Sequence, residues 1–379
     1  MKKYFLVSCL LFITHAIAVK AETSDEGEIR VPLMDDRQLV RIPIRVFGQI
    51  AYFIVDTGTS TTTLDTKFAS RLGRPLAHIK EQSSAEDIEA DLYHAPKIVI
   101  GGAEIPLERV VCGDLSLQRL VTGEECDGVL GMDVLRKYVV TMNFERNEFV
   151  LSKNISLPRE AKYIPMTAVG AQFQVEASIG AKSPILLMID SGLTNSLSLN
   201  QDEWDQMLTF EERASALHVI FAAAGGQIVE NRMTRLSTVT LAGTSYPKLI
   251  CTLLPREGLS TLGLSFLRQY HVVLDFPHST FYFEPSKSDW VEEKDMSGLH
   301  LIRKEGKVMV YSVDLKSPAA IADIRPGDVM ERIDDEIAST ISMASIRAKL
   351  MSRDGDGRNL TMDRGDHKLE IHLVLRRQI

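Results

Sequence analysis

Two aspartates in this chain sit in the same local setting. Asp56-Thr57-Gly58 follows the apolar run Ala51-Tyr-Phe-Ile-Val55, and Asp190-Ser191-Gly192 follows Ile185-Leu-Leu-Met-Ile189, 134 residues further on. One such tripeptide is a weak signal. Two of them, each leaving a strand-like run, predict two copies of one unit that bring two carboxylates to a shared point. Carboxylates a few ångströms apart cannot both ionise cheaply, so one keeps a proton while the other serves as a base. Such a pair can draw a proton from a water lying between its members and polarise a carbonyl, so that the water attacks without a covalent intermediate. The titration belongs to the pair, and the sequence does not assign the acid to Asp56 or to Asp190. Gly58 and Gly192 permit a tight turn and a close backbone approach.

The elements that must position these residues are themselves duplicated. Gly131-Met-Asp-Val-Leu-Arg-Lys-Tyr-Val-Val-Thr-Met-Asn-Phe144 matches Gly263-Leu-Ser-Phe-Leu-Arg-Gln-Tyr-His-Val-Val-Leu-Asp-Phe276. At a constant offset of 132 the two blocks share Gly131/Gly263, Leu135/Leu267, Arg136/Arg268, Tyr138/Tyr270, Val140/Val272 and Phe144/Phe276. Two copies in one order predict a pseudo-dimer rather than a solenoid. Each copy reads as β-rich. Val40–Val46 and Ala51–Val55 form a hairpin pattern about Gly48-Gln49. Lys97–Ile100 before Gly101-Gly102 and Ser237–Leu241 before Ala242-Gly243 repeat a strand-then-turn signal. Met132–Lys137 and Leu264–Gln269 are short helix candidates.

On these residues the chain, over roughly Val40–Pro285, resembles an aspartic peptidase of the pepsin/retropepsin type in its single-chain, two-lobed bacterial form. The match includes both Asp-Thr/Ser-Gly loops and a second element of two apolar residues and a glycine, Val129-Leu130-Gly131 and more loosely Thr261-Leu262-Gly263. The resemblance implies a mainly β fold of two pseudo-symmetric acid-protease β-barrel lobes, residues 22–155 and 156–285, with the site in the cleft between them. It implies Asp56 and Asp190 as the catalytic pair, a polypeptide as substrate, no cofactor, and the second element packed beneath each loop. Thr57 and Ser191 would exchange hydroxyl–backbone hydrogen bonds across the lobes, with Gly58, Thr59 and Gly192 completing the support. Thr59 suits a hydroxyl contact to Asp56, whereas Leu193 offers none to Asp190. For a flap over the substrate, lobe one has the acidic, glycine-free Glu81–His94, and lobe two has Gly225 and Gly226 within Ala222–Gln227, the better candidate of the two.

The ends of the chain add two readings. Met1–Ala21 carries Lys2-Lys3, the apolar stretch Tyr4–Ala18 and small residues at Ala16, Ala18 and Ala21, which reads as a secretory signal peptide (residues 1–21) and a periplasmic or secreted product. Leu6-Val7-Ser8-Cys9 resembles a lipobox, but only Met1–Phe5 precede it and the apolar run continues beyond. After the polar stretch Pro285–Asp295, read as a linker, Ser317-Pro-Ala-Ala320 and Ile324-Arg-Pro-Gly-Asp-Val-Met330 resemble a PDZ domain of the bacterial type, giving a linker and α+β unit over 286–379. That resemblance implies a peptide C-terminus as ligand, with Gly298, Leu299, His300 and Leu301 as the carboxylate loop and Ile341–Met351 as the opposite wall. Asp323 stands where a glycine is usual, and Asp334-Asp335 replaces a common Asn-Gly turn. A unit used only for packing on the peptidase is the alternative.

Composition bounds the remaining possibilities. The 379 residues are 45% hydrophobic and 25% charged, which fits a folded chain of two or three domains. A net charge of −8 gives no electrostatic case for nucleic acid. No later segment is long and apolar enough to span a bilayer. HExxH, CxxC, Walker and GxSxG motifs are absent, the histidines are scattered, and a metal site is not expected. Beyond Cys9 the cysteines are Cys112, Cys126 and Cys251. Export permits a Cys112–Cys126 disulfide, while the matching places of Cys112 and Cys251 in the two copies suit buried thiols. Leu193 and the glycine-poor first flap leave open a non-catalytic peptide-binding protein that has kept the cleft.

Overall fold

The Val40–Val46 and Gln49–Val55 strands are joined by Phe47 and Gly48, both at positive φ, 52° and 82°. Two left-handed residues match the right-handed twist of the flanking strands, and glycine takes one of them without steric cost. The hairpin therefore closes with Val46 opposite Gln49, which sends Val40, Ile42, Ile44 and Val46 into the core and brings the second strand out at Asp56. The computed structural model describes residues 27–35, 38–82, 87–156, 161–223, 227–254, 258–285, 292–365 and 367–379.

The chain is mainly β. Each lobe is built on one ten-stranded sheet, and the two sheets correspond strand for strand. Beside Gln49–Val55 lies Gly128–Leu130, running parallel to it; beside Ile185–Asp190 lies Thr261–Gly263, again parallel. In both lobes the inserted strand also pairs antiparallel with the short strand after the Asp loop, Thr63–Asp65 or Leu197–Leu199. Each Asp loop thus leaves a central strand and is flanked on its exit side by a short return strand.

A third sheet of six strands is shared by the lobes. At its centre Val139–Asn143 runs antiparallel to Tyr270–Asp275, with Thr141 directly opposite Val273. These two residues are 132 apart, the offset of the duplicated blocks, so the pseudo-twofold axis runs through this pair. The helices expected before these strands span Met132–Leu135 and Leu264–Leu267. Phe53, Phe149, Phe266, Phe281 and Phe283 are fully buried in one apolar core running through both lobes; burying each contributes about 1.5–3 kcal/mol. Lobe two's Arg268 forks onto the carboxylate of Asp35 at 2.6 and 2.7 Å, tying the N-terminal strand pair to the other lobe.

The C-terminal unit has a core of its own around Met330, Ile333, Ile346 and Leu360. Its sheet runs Leu299–Lys304, Lys307–Val313, Val329–Ile333, Gly357–Arg364, His367–Val374, with Glu336–Ile337 paired to the middle strand. The helices Pro318–Ile321 and Met343–Leu350 pack with it, each capped by a serine, Ser317 and Ser342. Asp323 and Asp334 adopt φ of 57° and 53°, the conformation for which glycine or asparagine is usual. Their charges are met by Arg325 and Arg364, and by Lys349 and Arg358.

One expectation is corrected and one open alternative is decided. Part of Pro285–Asp295 is docked rather than a solvated linker: Glu292 is buried and bonded to lobe two, because its carboxylate finds two backbone donors there. Cys112, Cys126 and Cys251 are all free and buried. Cys112 belongs to the main core, whereas Cys126 lies in a separate cluster with Ile54 and Leu115, so no Cys112–Cys126 bridge forms. Burial pushes the Cys112 thiol up to about 11 and that of Cys126 to about 12, which keeps both unreactive. Residues 1–21, read from the sequence as a signal peptide, with Cys9, and the flap candidates Gly225 and Gly226 lie outside the described residues. Among the described residues no helix is long and apolar enough to cross a membrane.

Candidate active site

Each Asp loop begins as a continuation of its strand. The Asp56 N–H still donates to Leu130 O of the neighbouring strand, at 3.1 Å. The chain then turns so that its next amides face back to the side chain: Gly58 N–H and Thr59 N–H donate to Asp56 Oδ1 at 2.8 and 3.1 Å, and the Thr59 hydroxyl donates to Oδ2 at 2.8 Å. In lobe two Gly192 N–H donates to Asp190 Oδ1 at 2.9 Å, and the Leu193 amide adds a weaker interaction. Among the described residues no side-chain hydroxyl serves Asp190. The Leu193 side chain instead packs on the underlying glycine: a Cβ on Gly263 would stand 2.8 Å from Leu193 Cδ2.

The two loops are locked together through their second residues. The Thr57 N–H donates to the Ser191 hydroxyl at 3.1 Å, and the Ser191 N–H donates to the Thr57 hydroxyl at 3.0 Å. Each hydroxyl then donates to the strand of the opposite lobe, Thr57 to Ile189 O and Ser191 to Val55 O, both at 2.8 Å. Thr57 and Ser191 are fully buried, so all four bonds are shielded from water. The glycines bring the carboxylates face to face. A Cβ on Gly58 would lie 2.6 Å from Asp190 Cγ, and one on Gly192 would lie 2.5 Å from Asp56 Cγ. Any side chain at either position would occupy the space of the opposite carboxylate.

Burial raises the proton affinity of both carboxyls above the ordinary aspartate value. For Asp190 the negative charge of Asp56 adds to this. Asp56 has more donors opposing the rise, including the Thr59 hydroxyl. The pair therefore holds one proton beyond the usual carboxylate range, with the negative charge better accommodated on Asp56 and the proton on Asp190. That is the singly protonated state needed to deprotonate a water on one side and polarise a carbonyl on the other.

Sequence reasoning missed the groups that hold the loops from beneath. In lobe one Asp133, in the short helix after Gly131, accepts the Thr62 N–H at 2.9 Å and the Thr62 hydroxyl at 2.6 Å, and Gly131 N–H donates to that hydroxyl at 3.1 Å. Asp133 follows the glycine of the second element by two residues, and that position was the available signal. In lobe two the corresponding residue is Ser265, whose hydroxyl donates to Thr194 O at 2.7 Å.

Asp56, Thr57, Gly58, Thr59, Asp190, Ser191 and Gly192 thus converge on one point. The strands on either side of Gly225 and Gly226, Leu217–Ala223 and Gln227–Arg235, pair as a hairpin with Ala223 opposite Gln227. Lobe one has the corresponding hairpin, Ala77–Gln82 with Asp87–His94. Gly298, Leu299, His300 and Leu301 lie in the C-terminal unit, apart from the dyad. The Gly298 N–H donates to Asp295 Oδ1 at 2.8 Å, the Leu299 N–H to the Ser297 hydroxyl at 3.1 Å, and the His300 ring meets Asp314 at 2.8 Å. The first two amides of that candidate carboxylate loop are therefore already bonded within the unit.

Residues 42–134 match the model of the aspartyl protease family. No curated protein matches the chain. Among solved structures, the aspartic proteinase from Irpex lacteus is similar with a TM-score of 0.45 at 13% identity, over 69% of this chain and 98% of that one.

Proposed function

We propose that the chain is an exported aspartic endopeptidase that hydrolyses peptide bonds with a water activated between Asp56 and Asp190. The observation that carries this reading is the dyad itself: two carboxylates facing each other across a pseudo-twofold axis, each loop bonded to the other through Thr57 and Ser191. The Asp56 carboxylate takes a proton from the water while protonated Asp190 donates a hydrogen bond to the scissile carbonyl. The resulting tetrahedral centre collapses as the leaving nitrogen is protonated, and the pair returns to one shared proton. The loop amides hold both carboxylates in place before the water attacks, so little reorganisation accompanies the reaction. The family match over 42–134 includes the first loop and supports the same reading. Export, to the periplasm or the medium, rests on the character of residues 1–21.

For the C-terminal unit, packing on the peptidase is the reading that a specific observation favours. The edge strand Leu299–Lys304 and the helix Met343–Leu350 face lobe one, where Arg347 donates to Val121 O. A peptide C-terminus remains the chemistry that such an edge would accept once free.

The test is to incubate the protein with a diverse peptide library from pH 3 to 8 beside Asp56→Asn and Asp190→Asn. Internal cleavage lost in both variants is expected. Cleavage that survives either one would remove the two-carboxylate mechanism, and silence from a folded wild type would leave the cleft as a peptide-binding site.

A further inference from the structure

The two Asp loops are both held from beneath by a carboxylate, but the carboxylates come from different parts of the chain. In lobe one it is Asp133, which takes the Thr62 N–H. The residue 134 positions after Thr62 is Ser196, matching the spacing of Asp56 and Asp190. Its N–H donates to Glu292 Oε1 at 2.8 Å, and the other oxygen of that carboxylate accepts the Ile250 N–H at 2.9 Å. The Ser196 carbonyl accepts the Gly263 N–H at 2.8 Å. The peptide that ends the Asp190 loop is thus gripped on one side by the glycine beneath the loop and on the other by Glu292.

Glu292 is 7% exposed and lies beyond the last strand of lobe two, next to the C-terminal unit. A buried carboxylate is retained at a cost of several kcal/mol unless backbone donors satisfy it. Its neighbour Glu293 pairs with Arg235 of lobe two at 3.2 Å and with Arg377 near the C-terminus at 2.6 Å, so the same segment is anchored on both sides. At the position equivalent to Asp133, lobe two has Ser265, which supplies no charge.

We infer that Glu292 is a positioning residue for Asp190: the segment entering the C-terminal unit provides the carboxylate that lobe two lacks at Ser265, and the second Asp loop takes its working geometry only with that segment docked. The inference rests on the peptidase reading for its kinetic consequence and on geometry alone for its structural one.

The experiment compares full-length wild type, Glu292→Gln, Glu292→Ala and Glu292→Ala/Ser265→Asp by amide hydrogen exchange and by peptide hydrolysis. Losing charge-assisted bonds to two buried amides predicts that Glu292→Ala speeds exchange across 190–197 by about tenfold or more, with 56–62 unchanged. It also predicts a kcat lower by about tenfold with KM within about twofold, because the loop orients the reacting group rather than the substrate. Ser265→Asp restores both in the double variant by rebuilding the lobe-one arrangement. Glu292→Gln, which keeps the size and one acceptor, lies between and serves should the alanine variant fail to fold. Unchanged exchange at 190–197, an equal rise in both lobes, or a double variant no better than Glu292→Ala would overturn the inference. A wild type that cleaves nothing would remove the peptidase reading alone, since exchange still decides on Glu292.

Discussion

At the scale of single residues, the two aspartates are equivalent in sequence and unequal in surroundings. Asp56 receives the Thr59 hydroxyl, while Leu193 turns its side chain onto Gly263 and gives Asp190 no such donor. The consequence is a direction in pH. The working form carries one proton, so activity is lost on the acid side when the pair takes a second and on the alkaline side when it loses its last. Burial and the Asp56 charge raise the affinity of Asp190 for that last proton, which places the alkaline limb above the ordinary carboxylate range. Leu193→Thr would add a hydroxyl donor that stabilises ionised Asp190. The last proton then leaves more easily, and the alkaline limb of kcat/KM moves down by about one pH unit, the equivalent of one hydrogen bond of about 1.4 kcal/mol. A pH–rate profile of the variant beside wild type measures this, and a limb that stays in place would show that Leu193 does not set the asymmetry.

At the scale of elements, the cross-lobe lock is where one lobe's geometry depends on the other's. Thr57→Val removes one hydroxyl and leaves two buried partners, the Ser191 N–H and Ile189 O, without their bonds. Each such loss costs about 1–3 kcal/mol. Ser191→Ala does the same to Thr57 N–H and Val55 O. No bond is common to the two side chains, but both hold the same pair of loops together. Once one is removed the loops slacken, so the double variant is expected to lose at least about 1 kcal/mol less than the sum of the singles in denaturant unfolding, and additivity would show that the lock is not a unit. Thr57 and Ser191 were legible because the Asp-Thr/Ser-Gly repeat marks the two loops, and the resemblance to aspartic peptidases implies the cross-lobe bonds of their second residues. A hairpin about Gly48-Gln49, one residue from the observed turn at Phe47-Gly48, the paired short helices and the strand-then-turn signals were legible because their periodicity and turn residues are local. The central pairing of Thr141 with Val273 was not, since it joins strands far apart in the chain. Glu292 was hidden more deeply. It sits in a charged stretch whose composition reads as solvated, and only the folded chain shows that two free amides of lobe two lie within its reach.

At the scale of the whole molecule, the C-terminal unit touches both lobes, and the two attachments differ in kind. On lobe two it is tied by charge, through Glu292, Glu293, Arg235 and Arg377. On lobe one it fits by shape. The helix Ser116–Thr122 ends at Gly123 with φ of 71°, and the Gly123 N–H closes it by donating to Arg119 O at 2.8 Å. A Cβ at that position would stand 2.4 Å from Met343 Cγ and 3.2 Å from Arg303 Nε. The absence of a side chain therefore serves twice, in the left-handed cap and in the close approach of the C-terminal unit. Arg347 completes the contact from the Met343–Leu350 helix, donating to Val121 O and reaching Leu301 O of the edge strand at 3.5 Å. Gly123→Val puts a β-branched residue into a left-handed cap and into Met343, a cost of at least about 1–2 kcal/mol from the backbone alone. The strain falls on the lobe-one attachment and leaves the charged one intact, so the unit is expected to swing away from lobe one while remaining anchored at Glu292. Small-angle scattering would then show a larger radius of gyration, with exchange across 190–197 unchanged. Scattering identical to wild type would mean that shape at Gly123 does not hold the unit. A rise in exchange at 190–197 would mean that the two attachments act as one, and that the C-terminal unit reaches the Asp190 loop through lobe one as well as through Glu292.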